Sequence, residues 1–251
     1  MADLLQGEIA VVTGAAQGNG RAIALGLAEA GAAVALGDVQ TDAVEQVAAD
    51  IRTRGGRVYA AALDVTDPAR CTAFAAETEA SLGTVSVLVN NAGIIRRIAI
   101  DDPDYDSQWN ATLAVNAGGM KNMVRALLPQ LRRTRGRIVN LGSINSFAAG
   151  PRATSYTASK GAVLQFTRAL AAELAPEGIR VNGIAPGVID TPMTEATRAD
   201  PTAIGRFMAH TPMGRTGRPE ELVGPVLFLA SAMSSYVTGA MLPVDGGYLT
   251  L

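Results

Sequence analysis

Tyr156 and Lys160 are the two residues whose types and spacing point most directly to chemistry. They lie four positions apart in a segment with helical apolar spacing, so both side chains project from one helix face, about 6 Å apart along the axis. A free tyrosine has a pKa of about 10, and a neighbouring ammonium lowers that pKa by favouring the phenolate. The pair could therefore move a proton to or from a substrate oxygen. Because this spacing is also common in unrelated helices, its meaning depends on the elements that position it.

Three glycines, Gly14, Gly18 and Gly20, lie where an apolar run ends and a helical segment begins. The first permits a tight turn, the second lets the backbone approach a ligand, and the third allows close packing of helix on strand. The start of the helix then offers free backbone N–H groups and the positive end of its dipole to a pyrophosphate. A glycine triplet alone is a weak signal, but this strand–turn–helix context predicts a dinucleotide site.

Asp38, at the end of the second apolar run, indicates which dinucleotide binds. A carboxylate there can accept hydrogen bonds from an adenosine ribose and repels a 2′-phosphate. Val39 follows it, and neither Gln17 nor Asn19 supplies a basic group. These residues favour NAD(H) over NADP(H). In the alternative interpretation Asp38 only caps the following helix, a position for which Thr41 is better placed.

Short apolar runs alternate with longer helical segments along the whole chain. The predicted strands are Ile9–Thr13, Ala33–Asp38, Arg57–Leu63, Val85–Asn90, Arg137–Leu141, Arg180–Ile184 and Met241–Val244. Most are nearly unbroken apolar runs, as in parallel sheets covered on both faces. With no linker or shift in composition, the alternation predicts a single-domain α/β Rossmann fold over residues 1–251, with a seven-stranded, doubly wound parallel sheet and helices on both faces.

Two helical segments, Tyr105–Arg133 and Ser155–Pro176, carry many small and apolar residues. A helix that is apolar on more than one face is either buried in its own subunit or part of an interface between subunits. The sequence leaves both interpretations open.

Composition excludes several classes of function. The 21 basic and 23 acidic side chains leave a net charge of −2 with no basic stripe, so we expect no nucleic-acid partner. No apolar run approaches the roughly 20 residues that span a bilayer, and the N-terminus lacks signal-peptide features, so we expect a cytoplasmic protein with no membrane partner. Cys71 and His210 are the single cysteine and histidine, which makes a metal site improbable.

In this context the sequence resembles the short-chain dehydrogenase/reductase family from Gly7 to the C-terminus. The matching residues, in order, are Thr13-Gly14-x-x-x-Gly18-x-Gly20, Asp64, Asn90-Asn91-Ala92-Gly93, Asn116, Ser143, Tyr156-x-x-x-Lys160, Pro186-Gly187 and Thr191. The segments after Gly93 and Ser143 are similar to the branch that contains 2-deoxy-D-gluconate 3-dehydrogenase and the 2-dehydro-3-deoxy-D-gluconate 5-dehydrogenases. The stretch Phe228–Tyr248 is also shared with polyol dehydrogenases.

The resemblance implies a role for each catalytic residue. Ser143 would hydrogen-bond the substrate oxygen, and Tyr156 would exchange a proton with it. Lys160 would hold the nicotinamide ribose and lower the tyrosine pKa, and Asn116 would position a water relay to Lys160.

The resemblance also implies a set of cofactor contacts: Gly14, Gln17, Gly18, Asn19, Gly20, Asp38, Val39, Asp64, Val65, Asn91, Ala92, Gly93, Tyr156, Lys160, Pro186, Gly187, Ile189 and Thr191. Asp64 is either an adenine contact or a simple strand-end turn. Asn19 departs from the family pattern, which usually has isoleucine there, and puts a polar side chain near the pyrophosphate.

Substrate contacts are expected from Arg97, Asn145, Arg152, Ser143, Tyr156 and Gly187. Arg97 and Arg152 could bind a carboxylate bidentately, and Asn145 could bond a sugar hydroxyl. Alternatively, both arginines are solvated or pair with surface acids. The segment from about residue 190 to 211 could close as a lid or form a static surface helix, and His210 within it is expected to be a loop or surface residue.

The sequence therefore predicts an oxidoreductase that transfers a hydride between NAD(H) and a secondary alcohol or ketone, with a small polyol, sugar or sugar acid as substrate. The alternatives are a 3-oxoacyl-thioester reductase, or a reductase of apolar secondary alcohols and ketones. A nucleotide-binding module without catalysis is disfavoured by the complete set Asn116, Ser143, Tyr156 and Lys160. By resemblance, the two long helices would pair in a homotetramer, and neither a metal nor a flavin is expected.

Overall fold

The computed structural model describes residues 3–251, and these residues form a single seven-stranded sheet in the order β3-β2-β1-β4-β5-β6-β7. The strands are β1 Ile9–Thr13, β2 Ala33–Asp38, β3 Val58–Ala62, β4 Val87–Asn90, β5 Arg137–Leu141, β6 Arg180–Pro186 and β7 Met241–Val244. Every neighbouring pair is parallel. The predicted single-domain, doubly wound Rossmann fold is confirmed. Four strands have the predicted bounds, β3 and β4 are shorter, and β6 continues to Pro186.

Helices cover both faces of the sheet. They are α1 Gly18–Glu29, α2 Thr41–Thr53, α3 Pro68–Leu82, α4 Tyr105–Leu113, α5 Met120–Thr134, α6 Thr154–Leu174, α7 Glu195–Ala199, α8 Pro201–Ala209 and α9 Val223–Ala230. Short 3₁₀ turns precede α7 at Pro192–Thr194 and α9 at Pro219–Leu222.

The sheet separates two apolar cores, because alternate residues of each buried strand point to opposite faces. Ala10 and Val12 of β1 belong to the core that includes Leu27 of α1. Val11 belongs to the other, which includes Phe74 of α3. All five residues of β1 are buried, which explains why its sequence shows an unbroken apolar run.

The predicted helix Tyr105–Arg133 is interrupted. A π-helical segment, Ala114–Gly119, separates α4 from α5 and widens the turn that carries Asn116. Such segments are often found at functional sites. Sequence periodicity did not reveal it, because the residues on both sides are helical.

Within residues 3–251, no helix has both the length and the apolar character needed to cross a membrane.

Candidate active site

The glycine turn joins β1 to α1 with the backbone that its sequence predicts. Gly14 and Gly18 have φ values of 64° and 53°, in the left-handed region that side chains disfavour. A Cβ on Gly20 would lie 2.0 Å from the Gly14 carbonyl oxygen, so only glycine allows this approach. Asn91 ties the turn to β4, since its Nδ2 donates to the carbonyls of Thr13 and Gly14 at 2.9 Å.

The start of α1 suits an anionic ligand. Its N-cap residue, Gln17, makes no side-chain capping bond within the described chain, and the first turn contains no acidic residue. The first backbone N–H groups therefore remain available to an acceptor from outside. Nearby, the buried Oδ1 of Asn19 has no hydrogen-bond partner among residues 3–251. The N–H groups fit an anionic ligand such as a pyrophosphate, whereas the Asn19 oxygen is an acceptor and would need a hydrogen-bond donor.

Asp38 ends β2 as a buried carboxylate, 7% exposed. One oxygen accepts from the Ala16 N–H and the other from the Gln40 N–H, each at 3.0 Å. Gln40 is the N-cap residue of α2, and Thr41 is the first helical residue, so the expectation that Thr41 caps this helix was wrong. Asp38 therefore orders the entry to α2 and also faces the cavity beyond it.

One cavity of about 350 Å³ runs along the carboxyl ends of the strands. Its walls include all the predicted cofactor residues: Gly14, Gln17, Gly18, Asn19, Gly20, Asp38, Val39, Asp64, Val65, Asn91, Ala92, Gly93, Tyr156, Lys160, Pro186, Gly187, Ile189 and Thr191. Asp64 is exposed, and its Oδ1 accepts from the Thr66 N–H at 2.8 Å, which is a strand-end turn. Sequence reasoning missed other lining residues, among them Leu141 and Val115, because apolar side chains at strand and helix ends carry no chemical signal.

Lys160 is held from two directions. It is 5% exposed, and its Nζ donates to the carbonyl of Leu141, the last residue of β5, at 2.8 Å. Nζ also lies 5.6 Å from the centre of the Tyr156 ring, as expected from the helical spacing. Burial lowers the pKa of Lys160 to about 8. One of its three donors is occupied by Leu141, which leaves two for a ligand.

The Tyr156 hydroxyl is subject to opposing effects. Burial raises the pKa of Tyr156, while hydrogen bonding with the Ser143 side chain and the positive charge of Arg97 lower it. Ser143 follows β5 and is itself fixed, because its Oγ accepts from the Asn145 N–H at 3.1 Å. That Lys160 lowers the pKa of the tyrosine stays a prediction.

Asn116 acts as a brace between the β4 loop and α6. Its Oδ1 accepts from the Ile94 N–H at 2.8 Å, and its Nδ2 donates to the Ile94 carbonyl and to Ser159 Oγ, both at 2.9 Å. A Cβ on Gly93 would lie 3.3 Å from Asn116 Oδ1 and 3.7 Å from Lys160 Nζ, so these three groups meet. The water relay to Lys160 stays a prediction.

A second cavity, of about 550 Å³, adjoins the first. Ser143, Tyr156 and Gly187 line both. Arg97 and Asn145 line the second cavity as predicted, and the Asn145 Nδ2 donates to Thr157 Oγ1 at 3.2 Å.

The structure does not bring Arg152 to this cavity. The residue is exposed and is not among the described residues that line either space, although Pro151 and Ala153 beside it are. Its φ of 56° and the bond from the Ile98 N–H to its carbonyl fix the backbone there. No ion pair joins Arg97 or Arg152 to an acid within the described residues.

Residues 191–211 form the roof of the second cavity through α7 and α8. Sequence reasoning missed Arg206, His210 and Tyr248 as lining residues. His210 is exposed, as expected of a surface residue, yet its ring lies 6.1 Å from that of Tyr248, on the C-terminal segment. No local sequence signal could have paired them. Among residues 3–251, no group of three metal-ligating side chains is found.

Known proteins are similar to this chain in sequence and in fold. Residues 14–249 match the sequence family described as Enoyl-(Acyl carrier protein) reductase. Galactitol 2-dehydrogenase (L-tagatose-forming) of Cereibacter sphaeroides is 46% identical over 249 residues, which cover 97% of this chain and 96% of that protein. The 3-oxoacyl-(acyl-carrier-protein) reductase of Thermotoga maritima is 39% identical over 246 residues, with 97% and 98% covered.

A solved structure is similar throughout. Gluconate 5-dehydrogenase from Burkholderia cenocepacia J2315, in complex with NADP and tartrate, has a TM-score of 0.93 at 38% identity, covering 98% of this chain and 97% of that one. The relatives named for sugars and sugar acids confirm the predicted resemblance. The chain belongs to the short-chain dehydrogenase/reductase family of nicotinamide-dependent oxidoreductases, which includes dehydrogenases that act on CH–OH groups.

Proposed function

We propose that this chain is an NAD(H)-dependent dehydrogenase that oxidises a secondary alcohol of a polyol, sugar or sugar acid, and reduces the matching ketone. The observation that carries the proposal is that Ser143 and Tyr156 line both cavities. A dinucleotide in the first cavity and an alcohol in the second would meet at these two hydroxyls.

The side chains at this junction can supply the proton chemistry. Tyr156, as phenolate, takes the proton from the alcohol oxygen while a hydride leaves the carbon that bears this oxygen. Ser143 donates a hydrogen bond to the substrate oxygen, where charge develops. The two remaining donors of Lys160 would bind ribose hydroxyls of the cofactor, and Asn116 holds the loop at Ile94 beside them. When bound, the nicotinamide is the two-electron acceptor for the hydride.

Asp38 supports NAD(H) as the preferred cofactor. Its carboxylate faces the cavity at the end of β2, where an adenosine ribose would lie, and a 2′-phosphate there would meet a buried negative charge. We expect kcat/KM to be at least about tenfold higher with NAD⁺ than with NADP⁺. Asp38→Asn removes the charge but keeps an acceptor for a backbone N–H. It should therefore lower the ratio of kcat/KM with NAD⁺ to kcat/KM with NADP⁺. A parent enzyme that prefers NADP⁺ would contradict the assignment.

The substrate is tested by following nicotinamide absorbance with a panel of galactitol, other polyols, D-gluconate and related sugar acids, each with NAD⁺ and NADP⁺. Turnover of at least one of them, lost in the Tyr156→Phe variant, supports the proposal. A parent enzyme that is inactive on the whole panel overturns it.

A 3-oxoacyl-thioester reductase is the second candidate, favoured by the 39% identity with the Thermotoga maritima reductase. The description of the matching family also names an acyl-carrier-protein substrate, although for reduction of an enoyl group. It would use the same Ser143, Tyr156 and Lys160. Reduction of an acetoacetyl thioester, assayed beside the ketones of the sugar panel, distinguishes the two by their relative kcat/KM.

We also propose that substrate-binding groups come from Arg97, Asn145 and Gly187, and that residues 191–211 close over the bound substrate as a lid. Residues of this segment line both cavities, and closure would exclude water from the reacting atoms. Protection of α7 and α8 from amide exchange on adding NAD⁺ and substrate together tests the closure.

The resemblance to the family also suggests an assembly and a cellular location. We propose a homotetramer in which the segment from α4 to α5 and the helix α6 pair with those of partner subunits. A monomer in light scattering at micromolar concentration would contradict it. We propose a cytoplasmic location, where the pool of nicotinamide cofactor is available, and fractionation of expressing cells tests this.

A further inference from the structure

A hydrogen bond between side chains joins α7 to the segment that follows β4, and both line the second cavity, the proposed substrate cavity. Of the five described residues of α7, only Thr197 is buried, at 8% exposure. Its Oγ1 accepts a hydrogen bond of 3.2 Å from Nη2 of Arg97, which lies 100 positions earlier in the segment after β4. The buried side chain of this helix is therefore a polar group with a cationic partner.

Arg198, the next residue of α7, fixes the helix to the residues that precede it. Nη2 of Arg198 lies 2.6 Å from Asp190 Oδ1 and also donates to the Thr191 carbonyl at 3.3 Å. Because Arg198 holds the helix at its base, the Thr197 hydroxyl is presented to Arg97 in one direction.

Arg97 stands near the reacting hydroxyl. It lines the substrate cavity together with Tyr156, and its charge lowers the pKa of that tyrosine. A guanidinium carries five N–H donors in a planar fork, so holding one corner on Thr197 fixes the direction in which the others point. Those donors can then bind a carboxylate of a substrate whose hydroxyl lies at Tyr156.

The charges around the cavity favour an anion. Arg206 of α8 lines it with Arg97, and Asp200 is the one carboxylate among its described lining residues. The Asp200 Oδ1 accepts from the N–H groups of Thr202 and Ala203 at 2.9 and 3.2 Å, so it caps α8.

We infer that Thr197 is a positioning residue for substrate selection: its hydroxyl holds Arg97 in place to favour a sugar acid over a neutral polyol of similar size. The inference rests on the proposed function and adds a preference to it. Thr197 itself need not touch the substrate.

The test uses Thr197→Val, which keeps the shape of the side chain and removes the hydroxyl, and Thr197→Ser, which keeps the hydroxyl. For D-gluconate, Thr197→Val should lower kcat/KM about threefold to tenfold, mainly through KM, as expected for one hydrogen bond in a partly exposed site. For galactitol, kcat/KM should stay within about twofold of the parent value. Thr197→Ser should keep the parent's preference for D-gluconate over galactitol.

Arg96→Gln is the matched charge control. Arg96 precedes Arg97, both residues are exposed, and the Arg96 guanidinium donates to the Ile95 carbonyl at 3.4 Å. Arg96→Gln removes one positive charge beside Arg97, whereas Thr197→Val removes none. A change in the ratio of the two substrates in Arg96→Gln as large as that in Thr197→Val would assign the preference to general electrostatics and overturn the role of Thr197. Equal losses on both substrates in Thr197→Val, or no loss at all, would overturn it as well.

Calorimetric titration of D-gluconate and of galactitol into the NAD⁺-loaded protein gives the same comparison without turnover. The inference is supported if the parent binds D-gluconate more tightly than Thr197→Val does, while the two proteins bind galactitol equally. This holds even if neither compound is oxidised, because a lack of oxidation would refute the proposed function alone. A parent that binds D-gluconate no better than galactitol overturns the inference. Unchanged thermal unfolding midpoints show that the variants are folded.

Discussion

The two halves of the candidate site are built in different ways. On the dinucleotide side, the turn after β1 is held by buried backbone contacts, and the Asn91 amide reaches Thr13 and Gly14 across two neighbouring strands. On the substrate side, the roof is formed by two short helices, and none of the described residues of α8 is buried. A rigid surface can bind a cofactor, whereas the entry and selection of a substrate require an element that is less tightly fixed.

Tyr156 lies where the two halves meet, and replacing it gives the largest expected effect. Tyr156→Phe removes the hydroxyl that exchanges the proton, so we expect kcat to fall by about 10³-fold. Dissociation constants for NAD⁺ and NADH, from fluorescence titration, should remain within about twofold of the parent values. Activity retained above a few per cent would exclude the proposed role of this residue.

Gly20 tests the rigidity of the dinucleotide half. In Gly20→Ala, the new Cβ would lie 2.0 Å from the Gly14 carbonyl oxygen and 2.5 Å from Asn91 Nδ2. Because the first of these contacts is with backbone, the turn must shift, and we expect a loss of about 3 kcal/mol in unfolding free energy. NAD⁺ affinity should fall at least about tenfold. Urea unfolding and calorimetric titration measure the two effects, and an unchanged affinity would show that the turn is not a cofactor contact.

Lys160, which also lines the dinucleotide half of the site, is expected to lower the unfolding free energy. Burial lowers its pKa from 10.5 to about 8, so at pH 7 the folded protein holds an ammonium that its surroundings disfavour. Lys160→Met should therefore raise the unfolding free energy at pH 7 by about 2 kcal/mol, after allowing for the lost bond to the Leu141 carbonyl, while abolishing activity.

The pH dependence of that gain separates burial of charge from other causes. Between pH 8 and 10.5 the folded parent loses the Lys160 proton while the unfolded chain keeps it, so parent stability rises with pH in this window. The advantage of Lys160→Met should shrink from pH 7 to pH 10. An advantage that is constant with pH would contradict the assignment.

Gly205 is the counterpart of Gly20 in the roof and gives the smallest expected effect. No atom of the described residues lies within 4 Å of a Cβ built there, outside its own helix. Gly205→Ala should stabilise α8 by about 0.5–1 kcal/mol through helix propensity, with kcat changed less than about twofold. Amide exchange within α8 measures the local gain. Destabilisation would mean that the roof packs more tightly than the structure shows.

Sequence reasoning was strongest where a signal is local. The bounds of β1, β2 and β5 follow from mostly buried apolar runs, and those of β7 from an apolar run that the structure leaves partly exposed. The residues predicted to bind the cofactor follow from a glycine turn and strand ends that any parallel sheet places at one edge. It failed at the interruption of the helix around Asn116, because a π-helical turn leaves the helical pattern of its neighbours unchanged. It also failed at Arg152, since a left-handed backbone turns that residue away from the cavity.

The sequence by itself determined the sheet, the dinucleotide turn and the four-residue spacing of Tyr156 and Lys160, because each depends on neighbours along the chain. Only the tertiary structure decided what these groups contact. The Lys160 ammonium meets the Leu141 carbonyl 19 positions away, Asn116 closes on Ile94 and Ser159, and Arg97 meets Thr197 across 100 positions. Such pairs are set by how the elements pack on the sheet, and no local pattern of residues encodes that packing.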